Sequence, residues 1–266
     1  IFKKGELNTL GIATSIFIDG FWAFVGTHEN GLRIVNISNI YSPSEVGFNA
    51  VSQIENITDV WVENNIAYVA AGSSGISCLN ITDKENPTVL STLSSTNATS
   101  IAVVNGHAYV ADGVSGLRII DVTDPSNPTL VESLDTLKAN NVFAKTDRAY
   151  VADDSGFVCV NISDPRNAYI CGQSTNHHSN FIDLDVYGQK AYLINETATY
   201  IFNITDLNNP TKFDYVFSGG NAIDIVGMNA YIGNGPEKNL SISTIGLLQW
   251  QNYPRSIENL ISGGGL

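Results

Sequence analysis

The chain has 266 residues and 28.6 kDa, with 13 basic against 26 acidic side chains, a formal charge of −13 and 43% apolar residues. Such a chain can bury a full core, which excludes wholesale disorder, and its acidity argues against a nucleic-acid partner, because no basic patch displaces counterions from phosphate. No stretch reaches the ~20 consecutive apolar residues of a membrane helix, and the sequence from Ile1 does not open on a charged-then-apolar leader, so the expectation is a chain already processed or made without one.

The first segment, Phe2, Lys3, Lys4, Gly5, Glu6 and Leu7 followed by Asn8 and Thr9, aligns with a strand type that recurs later, as in Leu-Val-Glu-Ser-Leu-Asp-Thr at residues 130–136. From residue 13 onward one unit repeats. It opens on an apolar run that ends in a hairpin signal, first Ile16-Phe17-Ile18 before Asp19-Gly20. Asp-Gly and Asn-Gly supply the positive φ that a two-residue turn needs. An Ala-aromatic-aliphatic strand follows, at Ala23-Phe24-Val25, Ala67-Tyr68-Val69, Ala108-Tyr109-Val110, Ala149-Tyr150-Val151, Ala191-Tyr192-Leu193 and Ala230-Tyr231-Ile232. These copies are spaced by 44, 41, 41, 42 and 39 residues. A polar, Gly-containing turn then leads to a third strand, Gly-Leu-Arg-Ile-Val-Asn-Ile-Ser at 31–38 and Gly-Leu-Arg-Ile-Ile-Asp-Val-Thr-Asp-Pro at 116–125. Loops with Asn-Pro at 86–87, 127–128 and 209–210 precede a fourth strand, such as residues 129–134. The sixth copy is degenerate at 239–243, yet Leu247 to Tyr253 reads as its fourth strand, which makes the N-terminal segment a surplus. A tail from Ser256 carries Ile257, Leu260 and Ile261 ahead of three glycines.

Four short antiparallel strands per ~40–45 residues, with no helical periodicity, is the pattern of a propeller blade. A lone sheet exposes both faces, and only neighbours on each side bury them, which also accounts for strands that are apolar nearly throughout. The expectation is therefore all-β: a six-bladed β-propeller of four-stranded antiparallel blades over 13–253. An N-terminal strand at 1–12 and a tail at 254–266 flank it.

The motifs at residues 116–125 and 108–112 (Ala-Tyr-Val-Ala-Asp) resemble the LVIVD repeat family. That resemblance implies a β-propeller of the kind found in bacterial and archaeal exported or surface proteins, and it implies no catalytic site. Trp-Asp blade endings, kelch double glycines and sialidase Asp-boxes are missing from the sequence. The family pattern has Asp at the position of Asp121, whereas four other copies carry Asn36, Asn80, Asn161 and Asn203. Each of these opens an Asn-Ile-Ser/Thr glycosylation acceptor. Asn56, Asn97, Asn195 and Asn239 open four more, eight in all. The competing reading is that Asp or Asn there caps the following turn, and the acceptors are accidental. Propeller topology puts the repeat-position four on one face and the other four towards the opposite one.

Three cysteines lack metal spacing. Cys159 and Cys171 flank Pro165 symmetrically on the third and fourth strands of one blade, either as a disulfide or as two reduced thiols. Cys78 reads as a buried free thiol. His28, His107, His177 and His178 read as surface residues rather than metal ligands. Glu29, Asp112, Asp153, Asp154 and Glu196 recur between second and third strands, where they form either solvated turn acids or a carboxylate ring at a channel mouth.

The surplus N-terminal strand has three uses: a latch on the last blade, the remnant of a longer N-terminal region, or a donor that pairs with the next molecule's blade edge. The expected function is an extracellular or cell-surface structural glycoprotein, a subunit of a surface layer or filament assembled through its terminal strand and blade edges. It would carry N-glycans, pair with itself as a homopolymer, and have no cofactor, bound metal or enzymatic activity. The alternative is a monomeric ligand- or protein-binding propeller.

Overall fold

The computed structural model describes residues 5–8, 11–49, 56–174, 180–216, 219–226, 229–234 and 239–244. Phe2, Lys3, Lys4, His177, His178, the 247–253 segment and the 256–266 tail lie outside the described residues.

Among the described residues twenty-three strands form antiparallel sheets in chain order, and the one helical element is a 3₁₀ turn, Pro165–Asn167. Sheet one is β1 Ile12–Asp19, β2 Trp22–His28, β3 Gly31–Asn36 and β4 Ser44–Asn49. Sheet two is β5 Asp59–Glu63, β6 Ile66–Ala70, β7 Ile76–Asn80 and β8 Thr88–Leu93, and sheet three is β9 Ser100–Val104, β10 His107–Ala111, β11 Leu117–Asp121 and β12 Thr129–Leu134. Sheet four is β13 Ala139–Lys145, β14 Arg148–Asp153, β15 Gly156–Asn161 and β16 Tyr169–Ser174. Sheet five is β17 Asp183–Tyr187, β18 Lys190–Ile194, β19 Thr199–Asn203 and β20 Thr211–Val216. Sheet six has three strands among the described residues, β21 Ala222–Val226, β22 Asn229–Asn234 and β23 Asn239–Thr244.

Each sheet is a plain meander, so hairpin turns join neighbours in sequence. The first of these turns follows the expected chemistry: Asn105 (φ 52°) and Gly106 (φ 73°) both sit in the left-handed region, as do Asn64 and Asn65. Between second and third strands Gly116 has φ 71°, and a Cβ there would lie 2.2 Å from Leu134 O, so conformation and space both demand glycine.

The Ala-aromatic-aliphatic motif has a packing logic. Its aromatic faces the following sheet: Phe24 joins Val60 and Val62, Tyr68 joins Ile101 and Val103, and Tyr109 joins Val142 and Ala144. Tyr150 likewise meets Leu184, and Tyr192 meets Ile223 and Ile225. The flanking Ala and aliphatic residues face the preceding sheet, as Ala67 and Val69 do against sheet one. Five seams are filled this way, each by a large residue from behind against small ones ahead. First strands of successive sheets adjoin one another, β1 with β5, β5 with β9, β9 with β13, β13 with β17 and β17 with β21. They form the inner side of the stack.

Burial corrects one expectation. Second strands such as β10 are buried almost throughout, whereas fourth strands are not, β12 being exposed at Leu130; first strands vary, β13 alternating and β9 being buried at four of its five residues. Fourth strands are outer edges with a solvent face, so only the middle of each sheet is apolar on both sides. The register between third and fourth strands breaks at the same place in five sheets, at Ile34/Val35, Cys78/Leu79, Ile119/Ile120, Cys159/Val160 and Ile201/Phe202. A β-bulge is thus part of the repeat, and it twists the outer strand away from the inner three.

Candidate glycosylation and assembly sites

The repeat-position residues end their third strands, and all make one turn. The Oδ1 atoms of Asn36, Asn80, Asn161 and Asn203 accept the backbone N–H two residues on, from Ser38 at 2.9 Å, Thr82 at 2.9 Å, Ser163 at 3.0 Å and Thr205 at 2.9 Å. The Ser163 and Thr205 hydroxyls donate to the same oxygens at 2.7 and 2.6 Å. Asp121 does this identically, accepting from Thr123 N at 3.1 Å and Thr123 Oγ1 at 2.6 Å. Those Thr123 donors, the hydroxyl first, hold the Asp121 carboxyl below the usual range. The turn consumes a side-chain oxygen and leaves the amide nitrogen over. At Asn161 that nitrogen donates to Tyr169 Oη at 3.2 Å. A second Asx turn follows three residues later in each copy, at Asn39, Asp83, Asp124, Asp164 and Asp206.

The other acceptors lie at the opposite strand ends. Asn56 is exposed ahead of β5 and accepts Glu29 N at 3.1 Å. Exposed Asn97 precedes β9. Asn195 follows β18 and accepts from Thr197 N, Thr197 Oγ1 and Ala198 N, each at 2.9 Å, and Asn239 opens β23. The sheet topology therefore divides the eight between the two ends of the strands.

Two of the turn acids depart from the solvated reading, while Glu29 and Glu196 follow it. Asp112 and Asp153 are fully buried. Asp112 accepts from Asn97 N at 2.6 Å, Ser95 Oγ at 2.5 Å and Arg118 Nη1 at 3.3 Å. Asp153 accepts from Lys138 N at 2.8 Å and from Ser155 N and Oγ at 2.8 and 2.7 Å. Both carboxylates tie the loop between sheets to the end of a second strand, because buried charge persists only where donors surround it. Asp154 pairs with Lys138 at 3.2 Å, while Glu29 and Glu196 are exposed.

A set of inner clasps escaped the sequence reading. Thr14 Oγ1 is within hydrogen-bond distance of its own sheet's Gly26 O (3.0 Å) and of Ile57 O (2.6 Å) at the edge of sheet two. Thr58 repeats this to Ala70 O and Ala98 O, and Thr99 to Ala111 O and Ala139 O. In sheet four Asn140 Nδ2 reaches Phe181 O at 2.9 Å. One residue later, Asp59 joins three sheets, accepting from Ser15 Oγ at 3.0 Å, Ser100 Oγ at 2.9 Å and Ile101 N at 2.9 Å. Asp183 and Asp185 accept Ile223 N and Ile225 N at 2.8 and 2.7 Å, clasping sheet six. Burial pushes the Asp183 carboxyl up to about 7 against those hydrogen bonds, with the charges of Asp59 and Asp185 adding to the rise; Asp59 and Asp185 are raised by burial too. The signal that could have found them is a Thr-Ser, Thr-Asp, Thr-Ser pair recurring at first-strand starts, residues 14–15, 58–59 and 99–100.

Cys78 is buried and free, and Cys159 and Cys171 have Sγ atoms 3.2 Å apart. The bulge spoils the symmetry about Pro165: Cys159 pairs with Gly172, and Cys171 is the extra residue. His28 ends β2 with an exposed ring, and His107 opens β10 partly buried, its Nδ1 3.1 Å from Asn105 O.

The N-terminal segment is seated where a fourth strand of a preceding sheet would lie. A Cβ on Gly47 of β4 would fall 2.0 Å from Lys84 O in the third-to-fourth loop of sheet two, and one on Gly172 of β16 would fall 2.0 Å from Leu207 O in that loop of sheet five. Gly5 repeats this against sheet one, 2.4 Å from Ile40 O and 2.7 Å from Pro43 Cδ. Leu7 packs on the face of sheet one formed by Ala23, Val25 and Val35, the face that would receive an aromatic from behind.

No curated protein matches the chain. Among solved structures it is similar to a candidate 6-phosphogluconolactonase of Bacteroides uniformis, with 11% identity, TM-score 0.75, 90% of this chain and 83% of that one covered. The β-propeller domain of Cps50 (Swd1) from Myceliophteria thermophila gives 10% identity, TM-score 0.71 and coverage of 86% and 81%. The periplasmic gluconolactonase of Pseudomonas aeruginosa gives 10%, 0.66, and 78% and 70%. At such identities these likenesses establish the β-propeller fold alone. The LVIVD repeat matches residues 10–49, 56–94, 95–136 and 138–173, which are sheets one to four with their loops. Sheet five keeps the topology without a match, its turn glycine replaced at Ala198. With more than half of its length in these four repeats, the chain belongs to the LVIVD repeat family.

Proposed function

We propose that the chain is a six-bladed β-propeller, closed by its own N-terminal segment as outer strand of the sixth blade, and that it serves as an N-glycosylated, non-enzymatic structural subunit at the cell exterior. The observation that carries the reading is the spare amide: Asp121 makes the same turn as Asn36, Asn80, Asn161 and Asn203, so the fold does not require the nitrogen that a glycan would use. Closure draws support from Gly5 and Leu7, and from the electrostatic reach between Asp59 of sheet two and Asp183 of sheet five, which lie opposite in a ring of six. Asp59, Asp112, Asp153 and Asp183 spend their oxygens on backbone donors, which favours a framework role for them over catalysis. Fourth strands present Phe48, Leu130, Tyr169, Phe213 and Tyr215 to solvent on unpaired edges, and these are the surfaces through which copies would associate.

The test is intact mass before and after enzymatic deglycosylation, with sedimentation of protein taken from its source. Expected are a mass above the bare chain that falls on treatment, and species larger than a monomer. A bare-chain mass refutes the glycoprotein reading, and strict monomers at high concentration refute the subunit reading.

A further inference from the structure

Of the three cysteines, only two meet. Cys78 and Cys159 hold the same place on the third strands of sheets two and four, each fully buried. Across from Cys78 the bulge residue is Leu90; across from Cys159 it is Cys171, half-buried on the outer strand. The Sγ atoms lie 3.2 Å apart, and Cys171 Sγ is also 3.3 Å from Cys159 O. A disulfide needs about 2.05 Å between sulfurs, so a closing movement of about 1 Å suffices, and an edge strand at a bulge can supply it.

We propose that Cys159 and Cys171 form a thiol–disulfide exchange site, with Cys171 as the attacking thiol and Cys159 as the resolving one, whose reaction partner is a low-molecular-weight disulfide. Exposure assigns the order, since only Cys171 reaches solvent. Thiolate character agrees: the Cys171 thiol donates to Cys159 in the resting pair, and once Cys171 is ionised the Cys159 thiol 3.2 Å away favours its negative charge, while that contact and burial hold the Cys159 proton on. The Cys171 thiolate attacks one sulfur of the disulfide RSSR. A Cys171–SR bond forms, and RS⁻ leaves and takes up the proton Cys171 gave up. Cys159 then loses its proton and attacks Cys171 Sγ, expelling the second RS⁻, which is protonated in turn. In sum two protein thiols are oxidised, one RSSR is reduced and two RSH are released. The product links β15 to β16 and closes a loop of 13 residues, 159 to 171, which pins the outer strand of sheet four.

Oxidised glutathione added to the native full chain, followed by acid quench, alkylation and peptide mass analysis, tests this. Expected are a Cys159–Cys171 linked peptide two hydrogens lighter than the reduced pair, and an alkylated Cys78. Cys159→Ser should stop at one glutathione on residue 171, and Cys171→Ser should react at least tenfold more slowly, until urea opens the fold. Should a variant fail to fold, the wild-type order of alkylation decides, with residue 171 labelled before 159. A wild-type pair that stays reduced, a persistent adduct on Cys171 beside a free Cys159, a bond to Cys78, or labelling of Cys159 first would each overturn the proposal.

Discussion

Asn203 and Asp121 perform one task with different atoms. Each supplies an oxygen to a backbone N–H and a threonine hydroxyl, which saves a turn amide from going unpaired. Asn203→Asp should therefore remove any sugar at that position and change stability by under about 0.5 kcal/mol, whereas Asn203→Ala should cost about 1 kcal/mol by losing both bonds. Urea midpoints of the two variants in unglycosylated protein check this; equal losses would show that the turn does not depend on the side chain. The residue scale also shows where reading the sequence stops short. The acceptor motifs and the turn residues were legible because local chain chemistry determines them. Asp112 and Asp153 were not, because a short acid in a turn looks the same whether it faces water or lies under a loop.

At the scale of the element, the outer strand is the variable part. Its bulge recurs in five sheets, and in sheets one, two and four the residue beyond the bulge meets the loop of the next sheet. Where that residue is Gly172 the approach is to backbone, so Gly172→Ala should cost about 2–4 kcal/mol through forced displacement of the Leu207 carbonyl. Ser91, at the same place in sheet two, instead donates to Pro125 O at 2.6 Å, and Ser91→Ala should cost about 1 kcal/mol. Thermal melts of both variants measure the difference, and a neutral Gly172→Ala would contradict the close approach. The four strands of each of the first five sheets and their hairpin turns were readable from periodicity and Asn-Gly signals. The bulge was not, since it shifts pairing without altering any apolar pattern; it explains why Cys171 meets Cys159 out of register.

At the scale of the whole molecule, polar clasps at the inner strands join sheets that apolar seams press together. These clasps were invisible in one dimension because their partners lie about forty residues away. They also set a pH response. Asp183, raised to about 7, and Asp59 and Asp185, raised by burial, bind protons more readily folded than unfolded. Their contribution is complete below the unfolded carboxylate value, ~4, and is lost as pH rises through the folded values. Asp83, Asp121 and Asp164, lowered by hydrogen bonds from Asn86, Thr123 and Asn167, act oppositely, and their contribution is lost as pH falls below that same value. Stability should thus peak near pH 5 and decline on the order of 1–3 kcal/mol by pH 8, with Asp183→Asn flattening the decline. Urea titrations at pH 5 and 8 measure this, and a midpoint that rises with pH would contradict the burial of these acids.

The seams carry a direction as well as a depth. Sheets one to five each offer a ring forward, and each sheet offers a shallow hollow of Ala and an aliphatic residue backward, so a partial stack ends in two unlike faces that fit one another, with Ala23 and Val25 on the first of them. Nothing in that fit tells a protomer's own last sheet from its neighbour's. If such a fit closes the ring as proposed, it would also thread several molecules into a head-to-tail chain whenever the local partner is withdrawn, which makes removal of the sixth repeat a route to polymer rather than to an inert fragment.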